Sequence, residues 1–241
     1  FEVNEGEYKV MGMAPFGKAK YLDKVWKLIH QDSDGSFNLE MDYFSFHHSA
    51  EKTYSQKFVD LFGPARDPKS LFFTAGSGYP SYFGEKPNEY DSLARQNQHY
   101  ADIAASIQLV TEEILLKMAT RVHQDTGMKN LCMAGGVALN SVANGRILRE
   151  TPFEEIFIQP AAGDGGGAIG AALYGYHMVL GNPRRFIMAH AYWGKEYGPD
   201  AVGGFLRENN IAHVRLDNED QLCDRVVDAL QQGKVVGWFQ G

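Results

Sequence analysis

The pattern of hydrophobic and polar positions predicts one long amphipathic helix between about residues 97 and 125. Apolar residues recur there at every third or fourth position: Ile103, Ile107, Val110, Ile114, Met118 and Val122. Gly127 is expected to end this helix in a left-handed conformation. Asp102 and Gln108 lie beside the apolar stripe, so they are expected on the solvated flank of the helix.

Two short apolar runs follow the long helix, and each leads through glycines into a further helix. Strands are predicted at residues 130–134 and 155–158. The helices after them are predicted at about 138–149 and 168–179. Strands that alternate with helices are typical of an α/β layer arrangement.

The two ends of the chain differ from this middle part. The first ninety residues are loop-rich, with a helix predicted near 21–30 and a tight turn at Asp34-Gly35 between paired strands. The last sixty residues predict helix, strand, helix and strand, at 199–209, 212–216, 219–232 and 234–239. Asp217 or Asn218 is expected to cap the second of those helices.

Composition and charge limit the classes of function. The 241 residues include 23 Lys and Arg against 30 Asp and Glu, a net charge of −7, so no nucleic-acid partner is expected. No apolar stretch has the length of a membrane span, and no membrane partner is expected. Cys132 and Cys223 lie in apolar runs and are expected to be buried and inert, which fits a cytoplasmic location. The chain begins without Met and ends in an apolar run, so we expect a piece of a longer protein.

The glycine pair Gly135-Gly136 joins a predicted strand directly to a helix N-terminus. Glycines let an anionic or planar ligand approach the backbone, and free helix N–H groups favour negative charge. Asn140 and Asn144 lie four residues apart, on one helix face near that turn. A tight turn without any ligand explains the glycine pair equally well.

The loop at 163–167 places one carboxylate among glycines at the second strand-to-helix turn. Asp164 is the only acid between Glu155 and Glu196, and an isolated carboxylate of this kind is able to ligate a cation. The alternative is that Asp164 caps the following helix, and both roles are compatible. The loop is neither a Walker loop nor a dinucleotide fingerprint.

A third motif is a Gly- and Pro-punctuated loop flanked by Lys9 and Lys18. It could close over an anionic ligand, although a solvated surface loop is the simpler interpretation of these residues. Histidines show no close spacing typical of metal ligands, so His99, His123 and His177 are expected to be structural.

Four blocks of sequence occur in a fixed order: Lys9–Gly17, Tyr100–Gln108, Ala134–Asn140 and Gly163–Ala168. Together they resemble the O-carbamoyltransferase family of nodulation-factor and antibiotic biosynthesis (the NodU/CmcH type), over nearly the whole chain. The resemblance implies an α/β fold in two parts. Residues 1–182 would form the second half of an actin/sugar-kinase/Hsp70-like (ribonuclease H-like) domain. Residues 183–241 would begin a C-terminal carbamoyl-adenylate-forming α/β domain.

The chemistry implied by the resemblance uses ATP, with carbamoyl phosphate as the donor. Carbamoyl-adenylate forms and passes its carbamoyl group to a hydroxyl of a sugar- or antibiotic-like small molecule. The implied nucleotide contacts are Gly135, Gly136, Val137, Asn140, Gly163, Gly165, Gly166 and Lys9. Asp164 maps onto one ligand of a divalent metal, expected to be iron, whose two histidine ligands would precede this sequence. A homodimer is left open.

Three alternatives stay open at this point. A small-molecule kinase of the same fold would release ADP rather than pyrophosphate. A non-catalytic nucleotide-binding module would use the same glycine turns without turnover. A tRNA-modifying homologue is disfavoured by the net charge of −7. The chain by itself is not expected to turn over.

Overall fold

The computed structural model describes residues 6–216 and 218–239, and the chain divides into two compact units, Phe1–Asn182 and Pro183–Gly241. The helices of the larger unit are α1 (Glu7–Met13), α2 (Leu22–Val25), α3 (Gln56–Phe62), α4 (Tyr90–Thr126), α5 (Ser141–Glu150) and α6 (Gly166–Tyr174). Its strands are β1 (Ile29–Gln31), β2 (Phe37–Leu39), β3 (Asn130–Met133) and β4 (Glu155–Ile158). Helices with two small sheets make this an α/β structure, as the sequence predicts.

Helix α4 is the element around which the larger unit is built. It contributes to each of three hydrophobic clusters, which contain Val110 and Ile114, Ala101 and Ala104, and Ala119. The first cluster also takes in α2 and α3, the second α1, and the third α5 with Phe153. Burial of apolar surface on several sides of one helix holds these elements in place.

The second half of α4 confirms the predicted end of the helix but not all of its predicted apolar stripe. Gly127 has φ +62° and its N–H donates to His123 O at 2.8 Å, so the predicted left-handed end is confirmed. Met118 and Val122 are exposed, contrary to the predicted stripe. Beyond Ile114 the packed side of the helix shifts to Leu115, Leu116 and Ala119, which meet the third cluster.

The first sheet confirms the predicted turn. Strands β1 and β2 pair antiparallel around Asp34-Gly35, and the Asp34 carboxylate accepts hydrogen bonds from Ser36 N and Ser36 Oγ. The helix expected over 21–30 is wrong in its extent, because only Leu22–Val25 is helical and Ile29 already belongs to β1.

The second sheet pairs β3 and β4 in parallel, with Asn130 opposite Glu155. Leu131, Met133 and Ile156 on one face pack against α4 and α5. The opposite face is open, and Cys132 on it is exposed. The prediction that Cys132 is buried is therefore wrong, because helices cover only one face of this sheet.

The smaller unit contains α7 (Pro199–Glu208) and α8 (Glu219–Gln231). Asn218 caps α8 by accepting from Asp220 N at 2.8 Å, while Asp217 lies outside the described residues. The strands predicted at 212–216 and 234–239 do not form in the described part of this unit, since no neighbouring strand pairs with them. Cys223 on α8 is exposed, which also contradicts its predicted burial.

A membrane-spanning helix is not found among residues 6–216 and 218–239. The apolar residues of the long helix α4 are interrupted by charged and polar ones throughout.

Gly17 allows the loop after α1 to lie directly on α4. A methyl group at this position would overlap the carbonyl group of Ala101. We expect Gly17→Ala to lower the free energy of unfolding by about 1–3 kcal/mol, as overpacking does. Gly12→Ala is the matched control, because a methyl group there meets no atom within 4 Å and alanine favours the helix. Urea unfolding measures the free energy of unfolding of both variants. Equal values for Gly17→Ala and Gly12→Ala would contradict the close packing at Gly17.

Candidate functional site

The two glycine turns of the sequence lie side by side at one edge of the β3–β4 sheet. The N–H of Gly135 donates to Ala162 O at 2.7 Å, which joins the turn after β3 to the turn after β4. The two strands run in the same direction, so their carboxyl ends meet at the same edge. In open α/β sheets this edge is where ligands bind.

The turn after β3 requires glycine at its first position. Gly135 has φ +98° and ψ +155°, a region that side chains rarely adopt, and open space surrounds both Gly135 and Gly136. Residues Gly136–Leu139 form a 3-10 turn, and α5 starts only at Ser141. The single helix predicted from 138 is therefore wrong at its start, because Asn140 interrupts it as a cap. Val137 is exposed at this turn.

The turn after β4 combines a close approach with open space. A methyl group at Gly166 would overlap the carbonyl of Ala161, whereas none at Gly163 or Gly165 would meet an atom. The turn is tight at its end and open at its beginning. Backbone groups at Gly163 and Gly165 are thus within reach of a ligand.

Asp164 is exposed at this turn, immediately before α6. Helix α6 begins after Gly165 without a side-chain hydrogen bond to its first turn, so the alternative role of Asp164 as a cap is not found. Across residues 6–216 and 218–239, no group of three or more His, Cys, Asp or Glu side chains is arranged to hold a metal ion. One carboxylate does not complete a metal site, which needs several ligands.

Asn140 is tied into the protein by its side chain. Its Oδ1 accepts from Ala143 N at 3.1 Å, which caps α5, and its Nδ2 donates to Gln108 Oε1 at 2.9 Å. Gln108 Nε2 donates back to Asn140 Oδ1 at 3.1 Å. The expectation that Gln108 lies on a solvated flank is wrong, because α5 packs beside that side of α4.

Asn144, in the first turn of α5, binds the backbone of the loop that precedes this helix. Its Nδ2 donates to Ala138 O at 2.7 Å. Its Oδ1 is buried without a hydrogen-bond partner in the described structure. Asn144 therefore supports the backbone of the Gly135–Asn140 turn, whereas the Asn140 side chain binds α5 and α4. Only Asn144 lies within α5, and Asn140 precedes that helix as its cap, so the predicted common helix face is wrong for Asn140.

Asp102 anchors the loop that follows α1. Its side chain is buried and accepts hydrogen bonds from Lys18 N at 2.8 Å, Lys20 Nζ at 2.6 Å and Gln98 Nε2 at 2.9 Å. This placement contradicts the expected solvated flank. The small residues Ala101 and Ala104 beside Asp102 are the signal in the sequence for such a close approach.

Lys9 lies on α1 and is exposed, with its ammonium group 5.6 Å from the centre of the Tyr8 ring. In the described structure no hydrogen bond or ion pair joins Lys9 to either glycine turn.

The electrostatics of Asp102 follow from its partners. Burial by itself would raise the pKa of this carboxyl, but the hydrogen bonds from Lys20, Lys18 N and Gln98 outweigh it and lower the pKa. A lowered pKa in the folded state means that the carboxylate stabilises the fold at neutral pH. That contribution is complete above the unfolded pKa of about 3.9 and is lost as the pH falls through the lower folded value.

We expect Asp102→Asn to reduce the free energy of unfolding at pH 7 by about 1.5–3 kcal/mol, because charge-assisted hydrogen bonds are lost. The difference from the wild type should shrink below about pH 4. Urea unfolding at pH 7 and pH 3 measures both effects. Asp125→Asn, on the exposed end of the same helix, removes a surface pair with Arg121 and is expected to cost less than about 0.5 kcal/mol. A loss of stability at pH 7 that persists undiminished at pH 3 would contradict this role.

Comparison with known proteins finds one matching family model and several relatives that align with most or all of this chain. A family model described as the carbamoyltransferase N-terminus matches residues 1–173. An uncharacterized protein of Synechocystis sp. is 42% identical over 100% of this chain and 36% of its own length. Nodulation protein NolO of Bradyrhizobium diazoefficiens is 30% identical over 98% of this chain and 37% of its own length.

A third relative carries an enzyme name. The 3'-hydroxymethylcephem-O-carbamoyltransferase of Amycolatopsis lactamdurans is 26% identical over 68% of this chain and 30% of its own length. The chain thus spans about a third of the length of these curated relatives. The match over 173 residues confirms the resemblance carried by the four sequence blocks. The chain belongs to the carbamoyltransferase family, whose N-terminal model matches its residues 1–173.

Proposed function

We propose that this chain forms part of an ATP-using O-carbamoyltransferase. Carbamoyl phosphate and ATP give carbamoyl-adenylate with release of phosphate and pyrophosphate. A hydroxyl of a small sugar- or antibiotic-like acceptor then takes the carbamoyl group and releases AMP. Family membership supports carbamoyl transfer in general. The name of the cephem relative supports a small-molecule hydroxyl acceptor.

One observation supports the nucleotide site in particular. Two glycine turns, each leading towards a helix, are held together by the hydrogen bond from Gly135 N to Ala162 O. Open backbone at Gly135, Gly136 and Gly163 allows close approach, and the N-terminal N–H groups of α5 and α6 favour an anion. A nucleotide phosphate is the anion that this pairing of turns fits best.

The finer fold assignment belongs to the same proposal. We place residues 1–182 in the second half of an actin-like domain and residues 183–241 at the start of a carbamoyl-adenylate-forming domain. The β3–α5 and β4–α6 units, with parallel strands and helices after each glycine turn, are consistent with that domain type. The open face of the β3–β4 sheet leaves room for further layers of such a domain.

The reaction products test this function directly. The whole protein that contains this chain is incubated with ATP, carbamoyl phosphate and a panel of small hydroxyl acceptors. We expect AMP and pyrophosphate to form only when carbamoyl phosphate is present, together with a carbamoylated acceptor. Release of ADP with a phosphorylated acceptor would instead identify a kinase and contradict the proposal.

Asp164 is proposed as one ligand of a divalent metal, expected to be iron, with the other ligands outside this sequence. Its exposure beside the glycine turns and the absence of a capping bond leave the carboxylate available. We expect Asp164→Ala in the whole protein to lower the bound metal content while ATP binding is retained. Asp91→Ala, another exposed acid near a helix start, is the control. Unchanged metal content in Asp164→Ala would refute this role.

A further inference from the structure

We propose that Glu112 and Gln108 are positioning residues that fix the orientation of the Asn140 side chain, so that a ligand at the Gly135–Asn140 turn meets a hydrogen-bond donor. The inference rests on the proposed nucleotide site at that turn. Neither Glu112 nor Gln108 is a predicted contact of the nucleotide, and both lie on α4 rather than on the turn.

Glu112 accepts hydrogen bonds from both α4 and α5 and so links the two helices. Glu112 is 7% exposed, and both of its carboxylate oxygens accept hydrogen bonds. Oε2 accepts from Arg146 Nη1 at 2.8 Å, and Oε1 accepts from Gln108 Nε2 at 2.6 Å. Arg146 is held in turn by Glu150, through Nε and Nη2, each at 2.8 Å.

Arg146 stays charged in this arrangement. Hydrogen bonding to Glu150, and then to Glu112, raises the pKa of its guanidinium above the ordinary value. Both Glu112 oxygens accept hydrogen bonds in this geometry, and a carboxylate has no hydrogen to donate.

The polarity of the partners determines which way each amide points. An amide group has nearly the same shape in both orientations, so only its neighbours select one. Glu112 accepts but does not donate, and therefore the NH₂ group of Gln108 must face it. At the other end, the N–H of Ala143 donates but does not accept, so the oxygen of Asn140 must face α5. The pair between Gln108 and Asn140 is compatible with both requirements.

This orientation leaves one hydrogen of the Asn140 amide, on Nδ2, for a ligand. Its Oδ1 serves Ala143 N and Gln108 Nε2, and one Nδ2 hydrogen goes to Gln108 Oε1. Among the described residues, the second Nδ2 hydrogen has no acceptor. A ligand at this turn is therefore offered a donor, which suits a ribose or phosphate oxygen of a nucleotide.

The backbone beneath this network is tightly packed. Ala143 and Ile147 on α5 are 0% and 1% exposed, and Ile147 packs with Ala119 of α4. A side chain that is oriented before the ligand arrives loses little freedom on binding, which increases affinity.

Isosteric exchanges in the whole protein that contains this chain test the proposal by ATP binding. Gln108→Glu replaces the NH₂ group, which makes both donated hydrogen bonds, with one carboxylate oxygen beside Glu112, and we expect the Kd for ATP to rise ~10-fold. Glu112→Gln in the same chain supplies a donor to that carboxylate and still accepts from Arg146. The double variant regains the link between residues 108 and 112, so three of the four links are present and its Kd should return to within ~3-fold of the wild type.

A role limited to packing predicts a different pattern. Each exchange preserves volume, so the double variant would then bind no better than Gln108→Glu. That result, or an unchanged Kd in Gln108→Glu, would overturn the proposal. Gln96→Glu makes the same chemical change at an exposed position of α4 and is expected to leave the Kd unchanged. If thermal melting shows that Gln108→Glu does not fold, Gln108→Asn carries the same expectation, because its shorter side chain does not reach Asn140.

Amide hydrogen exchange at Ala143 separates this proposal from the proposed function, because it needs no nucleotide. We expect exchange there to accelerate ~10-fold in Gln108→Glu and to recover in the double variant. If the wild type binds no ATP, the nucleotide site fails, and the exchange rates then decide by themselves whether the network holds Asn140. Unaltered exchange in Gln108→Glu would overturn the network irrespective of nucleotide binding.

Discussion

The parallel pairing of β3 and β4 is the interaction on which the rest of the candidate site depends. Each strand has only four residues, so hydrogen bonds between them do not stabilise the pair alone. Burial of Leu131, Met133 and Ile156 against α4 and α5 supplies the additional free energy. Because the strands run in the same direction, both following turns must emerge at one edge, and Gly135 then bonds directly to Ala162.

Helix α4 links that edge to the rest of the larger unit. Asp102 binds the loop after α1, and Gln108 binds the cap of α5, six residues or ~9 Å further along the helix axis. The two polar contacts leave α4 in different directions, while its apolar residues join three hydrophobic clusters. Three of the four sequence blocks that carry the resemblance to carbamoyltransferases therefore meet on this one helix.

The glycine turns, helix α4 and Asp164 contribute different groups to the candidate site. The glycine turns provide open backbone, and the positive φ of Gly135 is one that residues with side chains rarely adopt. Helix α4 provides Gln108, which binds Asn140 at the end of the first turn. Asp164 differs from both, because its carboxylate is exposed and takes no part in capping α6. A group that is neither buried nor engaged contributes little to stability, so Asp164 has no structural role in the turn that competes with the proposed one.

The sequence by itself determined the elements whose signals are local. Periodicity predicted α4, β3 and β4, the turn at Asp34-Gly35 predicted the β1–β2 hairpin, and the four ordered blocks indicated the carbamoyltransferase family. The tertiary structure alone decided what lies beside each polar residue. Asp102 and Gln108 look like solvated positions on a helical wheel, yet Lys20 and Asn140 approach them from segments 82 and 32 residues away. Cys132 looks buried, yet among the described residues no helix covers its face of the sheet. Local pattern records the conformation of a segment, whereas burial and hydrogen-bond partners depend on long-range packing that no single segment specifies.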